Sequence, residues 1–151
     1  MPLVCVGLSH RTAPLPVREQ MALGHAARHT VLSASWLRAA ARTAGLGEVA
    51  LLSTCHRTEL YAAAPDPSLR FQTIPHGVAT LLANACGVPH DFASPFLYTR
   101  VSAGAVRHLC AVAAGLESVV LGESEVLQRH RAQKPDPIIV RHWSRLLMRN
   151  T

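Results

Sequence analysis

Seven polar or reactive residues, Ser53, Thr54, Cys55, His56, Arg57, Thr58 and Glu59, separate the apolar run Val49–Leu52 from Leu60 and Tyr61. A thiol at the centre of such a turn can serve as a nucleophile, a metal ligand or a small hydrophobe. Cationic neighbours raise the thiolate fraction, and the thiolate is the form that attacks an activated carbonyl. On local chemistry alone, the nucleophile and the inert turn cysteine both stay open.

The remaining reactive side chains are less suggestive. Cys86 and Cys110 lie on or beside apolar helical stripes and Cys5 lies in a strand, so all three are expected to be buried hydrophobes. No C-x-x-C occurs among the four cysteines, which argues against a zinc ribbon. His25 and His29 stand one helical turn apart, but no Glu or Cys nearby completes a metal set. His108, beside Arg107, is either an exposed histidine or a catalytic partner. "GLGEVA" at 45–50 matches a dinucleotide fingerprint in letters only, because it precedes a strand and opens no helix.

Positioning these groups requires a folded scaffold, and the pattern supplies one. Strands are predicted at 3–8, 48–53, 58–64 and 96–101, the "TCHR" turn joining the second to the third. Helices are predicted near 17–23, after Pro14 and Pro16, and over 26–43, closed by Gly45. Arg28, Arg38 and Arg42 on the second read as a solvated face. Val78, Leu81, Leu82 and Ala85 predict a helix over 77–86 stopped by Gly87. A further helix, capped by Ser102, carries Val106, Leu109, Cys110 and Ala113 inward and ends at Gly115. Pro135 and Pro137 would stop any helix begun at Glu123. The order predicts an α+β fold: a ferredoxin-like, split βαβ sheet with helices packed on it.

The bulk numbers agree with one compact domain. The chain has 151 residues, 49% of them hydrophobic and only 16% charged. Its net charge of +6 is a modest attraction for a polyanion. The opening residues lack the basic segment and long apolar core of a signal peptide, and no stretch approaches the roughly 20 apolar residues of a membrane span. A cytoplasmic protein with free thiols is expected.

Three blocks, "GLSHRTAPLPVRE" (7–19), "LLSTCHRTELYA" (51–62) and "AVRHLCAVAAGLESVVLGESEVL" (105–127), resemble in order and spacing the signature blocks of the catalytic domain of glutamyl-tRNA reductase. The resemblance covers about residues 3–130. It implies that Cys55 attacks the ester carbonyl of glutamyl-tRNA, forming a thioester that NADPH reduces to glutamate-1-semialdehyde for tetrapyrrole synthesis. It further implies that Thr54 and Arg57 hold the glutamyl group, that His108 is the activity-supporting histidine, and that Ser118 and Glu123 contact substrate. His56, Ser124, Glu125 and Arg129 fall at substrate-binding positions where the family pattern differs. His56 replaces an asparagine, Ser124 and Glu125 replace a Pro-Gln pair, and Arg129 replaces a glutamine. A carboxylate at Glu125 would repel a glutamate substrate.

The domain reading is a catalytic domain over 1–130 and a divergent tail over 131–151, with the family's NADPH-binding and dimerisation domains expected to be absent. NADPH would then come from a separate NADPH-binding protein. The alternative is a non-catalytic remnant that binds tRNA or a pathway partner.

Overall fold

The computed structural model describes residues 3–23, 39, 41–43, 45–63 and 74–119. Four strands, β1 (Leu3–Ser9), β2 (Glu48–Ser53), β3 (Arg57–Ala63) and β4 (Tyr98–Val101), form one sheet in the order β2-β3-β1-β4. Each neighbouring pair is antiparallel, so β1 and β2 run parallel with β3 inserted between them. This is the expected split βαβ arrangement, and the fold is α+β.

The helices are α1 (Leu15–Met21), α2 (Ile74–Cys86), α3 (His90–Ala93) and α4 (Ala103–Ala113). Side chains alternate across a pleated strand, and here both faces are covered. Val4, Val6 and Leu8 of β1, with Leu51 and Leu60, pack against Val78 and Leu82 of α2. Leu3 and Cys5, with Ala50, Tyr61 and Ala63, pack against Ala105 and Leu109 of α4. Burying both faces explains why β1 and β3 are apolar or internally paired along their whole length.

Several expected boundaries move. α2 begins a turn before residue 77, at Ile74, because Pro75 fits a first helical turn. β4 starts at Tyr98, since Ser94–Phe96 closes into a 3-10 turn around Pro95. Ser102 does precede α4, but its side chain makes no capping bond and its φ is +48°. Gly87 and Gly115 end their helices at φ +71° and +74°, where a side chain would be strained. Residues 39 and 41–43 are helical, and Leu46 and Gly45 close that segment by donating to the carbonyls of Ala41 and Arg42. The rest of the 26–43 helix, including Arg28 and Arg38, lies outside the described residues.

The face presented by α4 differs from the expected one. Ala105, Leu109 and Val112 are buried, shifting the apolar stripe one residue from Val106 and Ala113. That rotation leaves Cys110 exposed rather than buried, and turns His108 toward the sheet. Cys86 is only half-buried and donates to the Met21 carbonyl at 3.1 Å. Cys5 is buried as expected.

Candidate functional site

The thiol of Cys55 stands exposed in the turn between β2 and β3. The turn is short and internally held. Thr54 N–H donates to the Arg57 carbonyl at 2.8 Å, while Thr54 Oγ1 accepts from the backbone N–H of His56 at 3.2 Å and of Arg57 at 3.3 Å. A hydroxyl that accepts twice from backbone keeps its own proton to donate. Two further elements brace the turn from outside. Arg18 of α1 donates through Nη1 to the Cys55 carbonyl at 2.9 Å, and the His10 N–H donates to the His56 carbonyl at 2.8 Å. Burial, then Arg11, Arg57, His56 and Arg18 around it, lower the pKa of His10, so its ring stays neutral near pH 7.

Strand alternation sends Arg57, Glu59 and Tyr61 to the α4 face of β3, and there they build a buried polar hub. Glu59 is fully buried and opposite Gly7 of β1. Its Oε1 accepts from Arg57 Nη1 at 2.8 Å, from His108 Nε2 at 2.9 Å and from the Tyr98 hydroxyl. Its Oε2 accepts from the Tyr61 hydroxyl at 2.7 Å. Burial alone would push the Glu59 carboxyl up. The bonds from His108, Tyr98 and Tyr61 and the charge of Arg57 outweigh it and hold the group below its usual range.

An ionised carboxylate can only accept, so His108 donates through Nε2–H. When the ring is neutral, the lone pair therefore resides on Nδ1. The hub thus fixes both the orientation and the tautomer of His108, in the manner of an acid–histidine pair. Cys5 Sγ, Glu59 and His108 together offer three ligand atoms within 4.8 Å of one another. They fit a metal poorly, because Arg57, His108 and the two tyrosines already saturate the carboxylate and burial pushes the Cys5 thiol strongly up.

A cleft of about 440 Å³ opens beside the hub, lined by Ser9, Arg11, Thr12, Tyr98, Arg107, His108 and Glu117 among others. Arg57 links cleft and turn. Its backbone closes the Cys55 turn, its Nη1 holds Glu59, and its Nη2 donates to the Glu117 carbonyl at the cleft wall. Both terminal nitrogens of its guanidinium are thereby engaged with the protein's own acceptors. Arg11, paired with the Glu117 carboxylate at 2.9 Å, is one of three arginines lining the cleft, with Arg100 and Arg107.

Thr54, Cys55, His56 and Arg57 thus share one turn, and His108 joins them through Arg57 and Glu59. Ser118 lies half-buried in the turn after α4, its N–H donating to the Gly115 carbonyl at 3.2 Å. Glu123, Ser124, Glu125 and Arg129 lie outside the described residues. The sequence reading passed over Glu59, Tyr61 and Tyr98. The signal was present in Arg57, Glu59 and Tyr61 recurring at period two inside a strand, and in a glycine within the apolar run of β1.

The "GLGEVA" segment does not form a dinucleotide loop. The glycines of "GLGEVA" close a helix and enter β2, and the Gly45 and Leu46 N–H groups that might face a phosphate are spent on helix carbonyls.

Residues 6–134 match the family described as glutamyl-tRNAGlu reductase, N-terminal domain. The chain is 41% identical over 127 residues to a glutamyl-tRNA reductase of Halorhodospira halophila, covering 84% of this chain and 26% of that protein. It is 44% identical over 127 residues to one from Xanthomonas campestris pv. campestris, with coverage of 84% and 26%. The solved glutamyl-tRNA reductase from Methanopyrus kandleri superposes with a TM-score of 0.60 at 27% identity, over 92% of this chain and 28% of that one. The chain spans about a quarter of the length of these relatives.

Proposed function

Because the chain belongs to the glutamyl-tRNA reductase N-terminal domain family, we propose that it performs the acyl-transfer half of that reaction on glutamyl-tRNA. The Cys55 thiolate attacks the ester carbonyl joining glutamate to the terminal ribose. A carbon–sulfur bond forms, the carbon–oxygen bond to the ribose breaks, and the departing oxygen takes a proton as the tRNA leaves. His108, held by Glu59, presents Nδ1 to the cleft chemistry as the hydrogen-bonding and proton-handling group. Thr54 uses its remaining hydroxyl proton on the glutamyl group.

In this reading Arg57 acts from behind. It tethers the thiol-bearing turn to the hub while helping to hold the glutamyl group, and Arg11, paired with Glu117, adds positive charge at the cleft. Ser118, next in the chain to the cleft-lining Glu117, joins Glu123, Ser124, Glu125 and Arg129 in the proposed substrate-binding set. The reduction that follows in the family needs NADPH, and no part of that step is assigned to the described residues. The cytoplasm, where charged tRNA is found, is the compartment this reading requires.

The observation that carries the reading is the exposed Cys55 in a braced turn, connected through Arg57 and Glu59 to His108. The test is to incubate the chain with radiolabelled glutamyl-tRNA, quench in acid and look for label on the Cys55 peptide. Label at Cys55 that is released by hydroxylamine, together with slow deacylation of the tRNA, is expected. Deacylation at equal rates by wild type and Cys55→Ser, with no labelled peptide, would point instead to a domain that binds without catalysing.

A further inference from the structure

The cleft holds more positive charge than acyl transfer at Cys55 uses. Arg11, Arg100 and Arg107 all line it, and Glu117 is the one carboxylate among the lining residues. Arg11 consumes that carboxylate. Arg100 projects from β4 with its guanidinium 5.2 Å from the centre of the Tyr98 ring and donates to the Thr99 carbonyl at 3.0 Å. These contacts fix its direction without neutralising it. Arg107 projects from α4, exposed, and among the described residues neither it nor Arg100 has a carboxylate partner. Two uncompensated guanidinium groups facing one cavity repel each other unless an anion lies between them.

We infer that Arg100 and Arg107 form a phosphodiester grip for the single-stranded 3′ end of the RNA whose ester Cys55 attacks. Three observations favour RNA over a free anion. The cavity, about 440 Å³, is in the range that accepts a nucleotide-sized group. Ser9 and Thr12 also line it, and His10 between them donates to the His56 carbonyl, so the cleft lies beside the thiol-bearing turn. The arginines come from two different elements, β4 and α4, which both contribute to the lining of the cleft. Guanidinium groups suit this use because they are permanently charged and bind phosphate as a fork. The inference rests on the reading of the substrate as glutamyl-tRNA.

The experiment measures fluorescence anisotropy of the full chain with an uncharged acceptor-stem hairpin carrying a single-stranded 3′ overhang. A blunt hairpin is the control and pyrophosphate the competitor. Each phosphate contact on a single strand contributes about 0.7 to the slope of log affinity against log salt. Arg100→Ala and Arg107→Ala should each reduce that slope by about 0.7 and weaken binding roughly threefold to tenfold at low salt. Both side chains are exposed, so melting curves should match wild type. Cys55→Ser should bind as wild type does.

Unchanged slopes in both arginine variants, or equal affinity for blunt and overhanging hairpins, would overturn the grip. So would arginine-dependent binding of pyrophosphate with no binding of the overhang. Loss of the Cys55 thioester alongside intact arginine-dependent binding would count against the catalytic reading and support this one. Thioester formation with arginine-independent binding would do the reverse.

Discussion

Gly7 of β1 and Glu59 of β3 face each other across the sheet so closely that a Cβ on residue 7 would stand 2.7 Å from Glu59 Cγ. The same Cβ would lie 2.6 Å from the Thr58 carbonyl oxygen and 2.8 Å from Glu59 Cα. Backbone cannot step aside as a flexible side chain can. The missing side chain at residue 7 is what lets the carboxylate of Glu59 lie flat between β1 and α4, within reach of Tyr98 and His108.

Gly7→Ala should therefore destabilise the fold by about 1–3 kcal/mol, the usual cost of overpacking a tight interior. Urea denaturation measures this. Because the clash forces β1 from β3 at Glu59, the variant should also lose thioester formation under conditions where it remains folded.

The buried Arg57–Glu59 pair gives the fold a pH dependence of definite sign. The Glu59 carboxyl titrates below its ordinary range in the folded state. Its stabilisation is therefore complete above the unfolded value of about 4.3 and is lost as pH falls through the lower, folded value. Stability followed by urea midpoints should drop as pH is taken below about 4. Glu59→Gln should remove that part of the drop and cost about 3–5 kcal/mol at neutral pH, since Arg57 is left buried without its counter-charge.

Cysteine labelling should divide the four thiols two and two. Cys55 and Cys110 are exposed, so iodoacetamide near pH 7 should reach both. Burial pushes the half-buried Cys86 up to about 12, so it should label far more slowly than the exposed pair, and the fully buried Cys5 should react only on unfolding. Peptide mapping after graded exposure reads the order. Glutamyl-tRNA should protect Cys55 and leave Cys110 reactive, and protection of neither would remove the thiol from the site.

The tautomer of His108 is open to direct observation. Nitrogen-15 spectra should show Nε2 protonated and Nδ1 bare in the neutral ring. Tyr98→Phe removes one donor to Glu59 and should leave that tautomer unchanged, whereas Glu59→Gln should mix the two tautomers. His108→Ala should slow thioester formation by about 10²-fold, the lower end of general acid–base contributions, with little change in RNA affinity.

How much of this was legible in the sequence depends on the range of the interaction concerned. The strand boundaries at β1, β2 and β3, the glycine helix stops and the turn around Cys55 followed from local rules, because chain periodicity and glycine's freedom act within a few residues. The motif blocks likewise carried the family, since they are contiguous runs of residue types. Local pattern failed where a third element decided. The face of α4 was misassigned by one residue: Leu109 suits either stripe, and docking on Cys5 and Tyr61 selects Ala105 as its companion, with Val112 buried further along the helix. That choice exposes Cys110 and carries His108 to Glu59. The hub joins residues 7, 57, 59, 61, 98 and 108, which meet only because β3 pairs with β1 while β4 and α4 close over them. Residue types and strand alternation could nominate its members, but a buried carboxylate gains its partners, and thus its charge, only from the packed tertiary structure.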